Sequence, residues 1–346
     1  MKILKILLLG LGILLFLLIV GFFLGPKPSF SPVDAQLVEL NVELDQLDAY
    51  LAQKEAKFDK IKQENQSRII WADSIRKTPY SIVYLHGFSA SPMEGNPLHQ
   101  EFAARYGSNL YLPRLAGHGL DDPDSFAELT PEALIASAKE AIAVGQLIGD
   151  KVILMSCSTG GTLSIYLSAH HPEVVHAQLM YAPNLALYDV NAQLLTGPWG
   201  AQLTQAILGD YYHINHMKGK PAENFWTTTY RTEGVIALQA LLDQTMTEEN
   251  FRKITTPYLI AYYYKNEEEQ DKVISTAAIT AFDKVTATEP DKKQLAPLPD
   301  VKNHVLTSNL MSQDLDAVRK VSFDYAEKVL GMRTVEQQQE APLVVQ

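Results

Sequence analysis

The stretch Met155-Ser-Cys-Ser-Thr-Gly-Gly161 sets three candidate nucleophiles side by side, Ser156, Cys157 and Ser158. A hydroxyl or thiol attacks a carbonyl carbon when a base takes its proton and an acid orients that base. Which of the three can act depends on the backbone that carries it. Val152–Met155 reads as a strand, and Gly160–Leu163 begins an apolar helix. A residue at such a strand-to-helix turn has a strained backbone and a projecting side chain, and the residues two before and two after it must be small. Ser156 in that place would have Leu154 as a flank, and Cys157 would have Met155. Ser158 has Ser156 and Gly160, and only this register fits.

Two more motifs precede this turn. Leu85-His-Gly-Phe88 follows one apolar strand, and Leu112-Pro-Arg-Leu-Ala-Gly-His-Gly119 follows the next. With these motifs in this order, the sequence resembles the α/β-hydrolase superfamily. Within it the chain looks like the serine carboxylesterase and monoacylglycerol-lipase-like branch, which is related to serine aminopeptidase-type hydrolases. The resemblance runs from about Ile69 to Leu330. The family elbow usually reads Gly-x-Ser-x-Gly, and here Ser156 replaces the first Gly, a change a small side chain tolerates.

The resemblance implies a chain order of serine, then acid, then histidine. Of nine histidines, His86, His99, His118, His170, His171 and His176 lie too early, and His213 and His216 fall in an insertion. His304, in the polar loop after Gln294–Leu298, is left as the base. The acid follows the strand Tyr258–Tyr264, with Glu267, Glu268, Glu269 and Asp271 as candidates. Asp271-Lys-Val-Ile-Ser275 resembles the family's acid turn, in which an apolar pair after the Asp tucks the loop down. Asp271 is therefore the choice and Glu267 the runner-up. The charge on a tetrahedral intermediate needs two fixed N–H donors, for which the resemblance implies the amides of Phe88 and Thr159. His86 and His118 are read as braces of their loops.

The elements that must position these residues are legible as alternating runs. Strands are expected at Arg68–Ala72, Ser81–Leu85, Asn109–Leu112, Val152–Met155, Ala177–Tyr181, Tyr258–Tyr264 and Gln294–Leu298. Helices are expected at Pro131–Ile148, Gly161–His171, Thr276–Val285 and Ser312–Leu330. This alternation is that of an α/β fold, a mostly parallel central sheet flanked by helices. Asn184 to Phe251 breaks the rhythm, so a helical lid insertion is expected at about 185–250 within a hydrolase domain spanning 67–331. Its aromatic set, Trp199, Tyr211, Tyr212, Phe225, Trp226 and Tyr230, suits both a small core of its own and the inner face of a lid.

Before this domain, Leu37, Leu40, Leu44, Leu47 and Leu51 form a helical stripe, giving a helical spacer over 34–66. Residues 332–346, rich in Gln and without apolar period, are expected to be a disordered tail. At the other end, Lys2 and Lys5 precede the uncharged run Ile6–Leu24. As a helix its 19 residues span about 29 Å, close to the hydrocarbon thickness of a bilayer. A cleaved signal peptide is the rival reading, but its apolar core is shorter and no small-x-small site follows. Residues 1–33 are thus read as a single-pass transmembrane anchor and exit linker. The lysines place the body on the non-cytoplasmic side, periplasmic in a Gram-negative bacterium.

Composition narrows the partners. A formal net charge of −11 makes nucleic acid a poor partner. Cys157 is the single cysteine, which excludes an intramolecular disulfide and a cysteine metal cluster. His213 and His216, with Glu223, have metal-like spacing but no further ligand, so no metal and no cofactor is expected. The reading is a membrane-anchored serine hydrolase acting on small-molecule esters of short or medium acyl chains through Ser158, His304 and Asp271. Serine at the elbow argues against dehalogenases and epoxide hydrolases, which the resemblance gives an Asp there. One rival is a serine aminopeptidase, which needs acids such as Glu223 or Glu233 turned toward a substrate amine. The other is a non-catalytic scaffold, against which stands a competent residue at every catalytic position.

Overall fold

A run that is apolar at nearly every position suits a strand covered on both faces, and the chain supplies several such runs of Ile, Val, Leu and Tyr. The computed structural model describes residues 2–340. The helix α1 (Lys2–Phe23) is followed by α2 (Leu47–Glu55), β1 (Arg68–Ile70), β2 (Thr78–Leu85), α3 (Leu98–Tyr106) and β3 (Asn109–Leu112). Next come α4 (Pro131–Ile148), β4 (Gly149–Cys157), α5 (Thr159–His170) and β5 (Val175–Tyr181). The insertion holds α6 (Gly200–Leu208), β6 (Tyr211–His213), β7 (Thr229–Arg231) and α7 (Glu233–Thr245). The chain closes with α8 (Glu248–Arg252), β8 (Tyr258–Tyr263), α9 (Thr276–Val285), β9 (Lys293–Leu298), α10 (Leu315–Lys328) and α11 (Val335–Glu340).

Seven strands make one sheet in the order β1-β3-β2-β4-β5-β8-β9, antiparallel only between β1 and β3. From β2 the chain moves outward to β3, then returns past β2 to β4. The direction of winding therefore reverses between the carboxyl ends of β2 and β4, where open α/β sheets bind ligands. Side chains alternate between two cores as the period of two requires. Val152 and Leu154 join Val83 and Leu85 under α4, α5 and α7, whereas Ile153 and Met155 join Ile82 and Tyr84 under α3, α9 and α10. Local chemistry sets the ends. α4 starts at Pro131 because the Thr130 hydroxyl accepts from the Ala133 N–H at 3.2 Å and proline suits a first helical position.

Three expectations are corrected. The leucine stripe is not one spacer helix: only Leu47 and Leu51 lie on α2, after a 3-10 turn at Leu44–Gln46. Upstream, Val33, Ala35 and Leu37, and again Leu40, Val42 and Leu44, alternate by two and pack half-buried on the body. This strap is extended because the body supplies partners for its backbone. Gln244 accepts from the Val33 N–H at 2.8 Å, and His171 Nε2 donates to the Ala35 carbonyl at 2.7 Å. α2 then docks through a buried pair, Arg114 with Glu55 at 2.7 Å, which Ser67 joins at 2.6 Å.

The insertion is not purely helical, since β6 and β7 pair as an antiparallel ribbon. The tail is not disordered through Glu340. Thr334 and Gln337 exchange side chain-to-backbone hydrogen bonds of 3.0 and 3.3 Å, a reciprocal cap that starts α11. Residues 341–346 of that tail lie outside the described residues.

α1 is solvent-exposed along nearly its whole length, and its carboxyl end meets the insertion. The Trp199 N–H donates to the Pro26 carbonyl at 2.7 Å, and its indole N–H to the Gly21 carbonyl at 3.4 Å.

Candidate active site

The turn between β4 and α5 brings Ser158 to the switch point in an unusual conformation, φ 52° and ψ −119°. A non-glycine residue there costs about 1–3 kcal/mol unless its surroundings hold it. The Ser158 N–H donates to Tyr181 O at 3.1 Å, and its carbonyl accepts from Gly161 at 2.8 Å and Asn184 at 3.0 Å. Glycine at 160 is required, because a Cβ there would stand 1.9 Å from the Leu85 carbonyl oxygen. Position 156 has room for a serine, whose hydroxyl is buried without a partner. Cys157 is fully buried, and burial pushes its thiol well above the usual range, so it stays protonated. Of the three candidates, only Ser158 lines the cavity of about 610 Å³ above the sheet.

Asp271 and His304 meet in the same cavity. His304 Nδ1 donates to Asp271 Oδ2 at 2.6 Å, and Asp271 Oδ1 accepts from the N–H groups of Val273 at 2.8 Å and Ile274 at 3.2 Å. Nε2 of His304, buried and without a protein partner, is left free. Burial alone would pull the His304 pKa down, but the Asp271 charge and hydrogen bond, helped by Glu94, outweigh it and the pKa is raised. For Asp271 burial works upward, and the His304 charge with the three hydrogen bonds holds it below the usual carboxylate range. Of the apolar pair after it, Ile274 is buried while Val273 turns outward to the cavity. Glu267 is elsewhere, accepting from the Tyr264 hydroxyl at 3.0 Å on the surface.

Phe88 and Thr159 also line the cavity, Thr159 as the first residue of α5, where amides point outward unpaired. The loop bearing Phe88 is braced by fully buried His86, whose Nδ1 donates to Gly87 O at 2.9 Å and whose Nε2 accepts from the Leu115 N–H at 3.1 Å. His118 is buried beside it, with Nδ1 donating to Ala116 O at 2.8 Å. The arrangement can activate a hydroxyl against a carbonyl and shelter the charge that follows.

The insertion contributes Tyr212, Trp226, Tyr230, Val235 and Leu238 to the cavity wall. Trp199 and Phe225 do not reach it, and Trp199 is occupied with the end of α1. His213, His216 and Glu223 form no metal-holding group among the described residues. Glu223 accepts from the Gly219 N–H at 2.6 Å and Glu233 pairs with Arg231 at 2.7 Å, so neither faces the cavity. Sequence reasoning missed Glu94, a cavity-lining acid buried beneath Gly87. Its signal was a lone charge in the otherwise uncharged stretch Gly87–Pro97.

Residues 82–307 match the family described as the alpha/beta hydrolase family. Over 96 residues the chain is 32% identical to the thermostable monoacylglycerol lipase of Bacillus sp. (strain H-257). That stretch is 28% of this chain and 38% of the relative's length, so well under half of the relative is spanned. In three dimensions the chain is similar to a structure from the work on LipS and LipT, two metagenome-derived lipolytic enzymes. There the identity is 17% and the TM-score 0.62, over 78% of this chain and 100% of that one. It is also similar to ferulic-acid-bound Est1E from Butyrivibrio proteoclasticus, at 16% identity and TM-score 0.52 over 77% and 95%. Both structural likenesses are likenesses of fold.

Proposed function

The chain belongs to the alpha/beta hydrolase family, and from that premise we propose that it is a membrane-anchored serine hydrolase cleaving carboxylic esters. The observation that carries this reading is convergence in one cavity. Ser158 sits on a strained turn there, and His304 offers a free Nε2 while Asp271 holds its Nδ1. In the reaction, His304 Nε2 accepts the Ser158 proton as Oγ attacks the ester carbonyl. The N–H groups of Phe88 and Thr159 receive the oxyanion. His304 then protonates the departing alcohol, and water activated by the same nitrogen releases the acid from the acyl-enzyme.

An ester is favoured over an amino-terminal peptide because Glu223 and Glu233 are engaged elsewhere, and Asp189, which does line the cavity, is occupied in accepting from Asn191. The curated relative, a monoacylglycerol lipase by name, supports the same choice. Met217, Trp226, Val235 and Leu238 give the cavity an apolar wall for an acyl chain. Each methylene buried there contributes roughly 0.8 kcal/mol, or about fourfold in rate if expressed in the transition state. The expected result is a kcat/KM that climbs from acetyl toward short or medium chains on p-nitrophenyl esters, with aminoacyl p-nitroanilides hardly cleaved. A flat ester profile with strong anilide cleavage would move the assignment to the aminopeptidase.

For the anchor, α1 contains 21 residues, Ile3–Phe23, long and apolar enough to cross a bilayer. Lys2 and Lys5 favour the cytoplasmic side for its start, leaving the body on the other side. Two truncations separate anchor from fold. A chain beginning at Pro32 is expected to be soluble and active, because no site residue lies before it. A chain beginning at Lys57 loses buried Leu47 and Leu51 and leaves Arg114 without Glu55, so thermal unfolding should show a loss of about 3–5 kcal/mol or more. An insoluble or inactive Pro32 chain would count against a separable anchor. A C-terminal reporter found in the cytoplasm would overturn the orientation.

A further inference from the structure

Glu94 is a carboxyl that the proposed reaction does not use, yet it is 2% exposed and lines the reaction cavity. It sits on a 3-10 turn, Pro92–Gly95, under the loop that carries Phe88. Its Oε2 accepts from the Gly87 N–H at 2.7 Å and from the Tyr84 hydroxyl at 3.1 Å. Its backbone carbonyl accepts from the Thr307 hydroxyl at 3.1 Å, three residues after His304. One residue thus ties β2, the Phe88 loop and the His304 loop together. Its Oε1 approaches the reaction centre through the gap left by a missing side chain. A Cβ on Gly87 would lie 2.8 Å from that oxygen and 3.1 Å from the Ser158 Cβ.

The groups facing this carboxyl are known from each side. Tyr84 comes from β2, Cys157 from the end of β4, and His304 from the loop after β9. His99 of α3 lies across the Tyr84 ring, its Nε2 bonded to Pro92 O, and burial keeps it neutral. Asp271 lies beyond His304. Burial pushes the Glu94 pKa up to about 7, against the pull of the Gly87 hydrogen bond and the His304 charge.

We propose that Glu94 is a positioning residue, clamping the Gly87 amide so that the next amide, Phe88, faces the cavity. This rests on the serine-hydrolase reading above. A carboxyl accepting from Gly87 fixes the peptide before the Phe88 donor, and a tilt of that donor weakens every contact to a developing oxyanion. When ionised, Glu94 also favours the imidazolium of His304, so the two groups titrate as a pair rather than singly.

Two substitutions separate the roles. Glu94→Gln keeps a carbonyl acceptor for Gly87 and Tyr84 but cannot ionise, so its plateau kcat should fall by no more than about tenfold. Its acid limb should move to lower pH and sharpen to a single ionisation. Glu94→Ala leaves the Gly87 N–H unpaired, and its kcat should fall about 100-fold with KM within a few-fold. Titration of the His304 ring by NMR gives the ionisation shift without substrate and stays readable if the alanine variant folds poorly. A wild-type pH profile and His304 titration in Glu94→Gln would overturn the shared ionisation. Wild-type kcat in folded Glu94→Ala would overturn the clamp. A wild-type chain that takes no fluorophosphonate label would instead overturn the serine-hydrolase reading beneath both.

Discussion

Ser158→Ala is expected to lower kcat by about 10⁶-fold, to the level left by binding and the oxyanion donors alone. Ser156→Ala and Cys157→Ala are expected to retain most turnover. The contrast follows from the turn. Ser156 and Cys157 are fully buried on β4, and the Cys157 thiol is held protonated, so neither can meet a carbonyl in the cavity. Ser156→Ala removes a hydroxyl that has no partner, so stability should hold or rise slightly. A fluorophosphonate probe should label the wild type and both neighbouring variants but not Ser158→Ala. Equal loss in folded Cys157→Ala would refute the register, and an unlabelled wild type would favour a scaffold.

Asp271→Asn is expected to cost about 10⁴-fold in kcat, because an amide at this place can turn its NH₂ toward His304 and favour the wrong tautomer. It should also leave a second mark. His304 can serve as base only with Nε2 unprotonated, so the wild-type rate is expected to fall as pH drops through the raised His304 pKa. Without the Asp271 charge, burial dominates and that pKa falls. The residual activity of Asp271→Asn should therefore persist to lower pH than the wild type. Glu267→Gln should be nearly silent, since Glu267 touches Tyr264 on the surface and not His304. A silent Asp271→Asn with an impaired Glu267→Gln would reassign the acid.

What could be read from the sequence is what local sterics and periodicity determine. The elbow register was legible because one turn geometry demands small residues at 156 and 160, and the Leu85 carbonyl pressed against Gly160 is the contact behind that demand. The sheet was legible because doubly covered strands must be apolar throughout. The strap was not, because Leu37, Leu40 and Leu44 satisfy a helical period and, with Val33, Ala35 and Val42, an extended one. Distant groups, Gln244 and His171, decide between them. The β6–β7 ribbon is three residues a side, too short for a pattern. Glu94 left only a lone charge as its signal, for the same reason as the strap: Thr307, one of its partners, lies 213 residues away along the chain.

The strap changes what kind of tether an anchor in this chain would be. A free linker from Pro26 to Gln46 would let the body wander up to roughly 70 Å from a bilayer surface, at about 3.5 Å per residue. The linker is instead fastened almost at once. Pro26 is held by Trp199, Phe30 packs on the core edge, and Val33 is held by Gln244. Only Leu24 and Gly25 separate the end of α1 from the Pro26 fastening, a leash of about 10 Å, and the Trp199 indole already touches α1 at the Gly21 carbonyl. With α1 in a bilayer, the body would be unable to tumble, and its insertion would stay within one lipid headgroup layer or so of the surface. Lengthening the segment between Phe23 and Pro26 with a flexible insert would then lower the local concentration of the cavity at that surface without touching a single residue of the site.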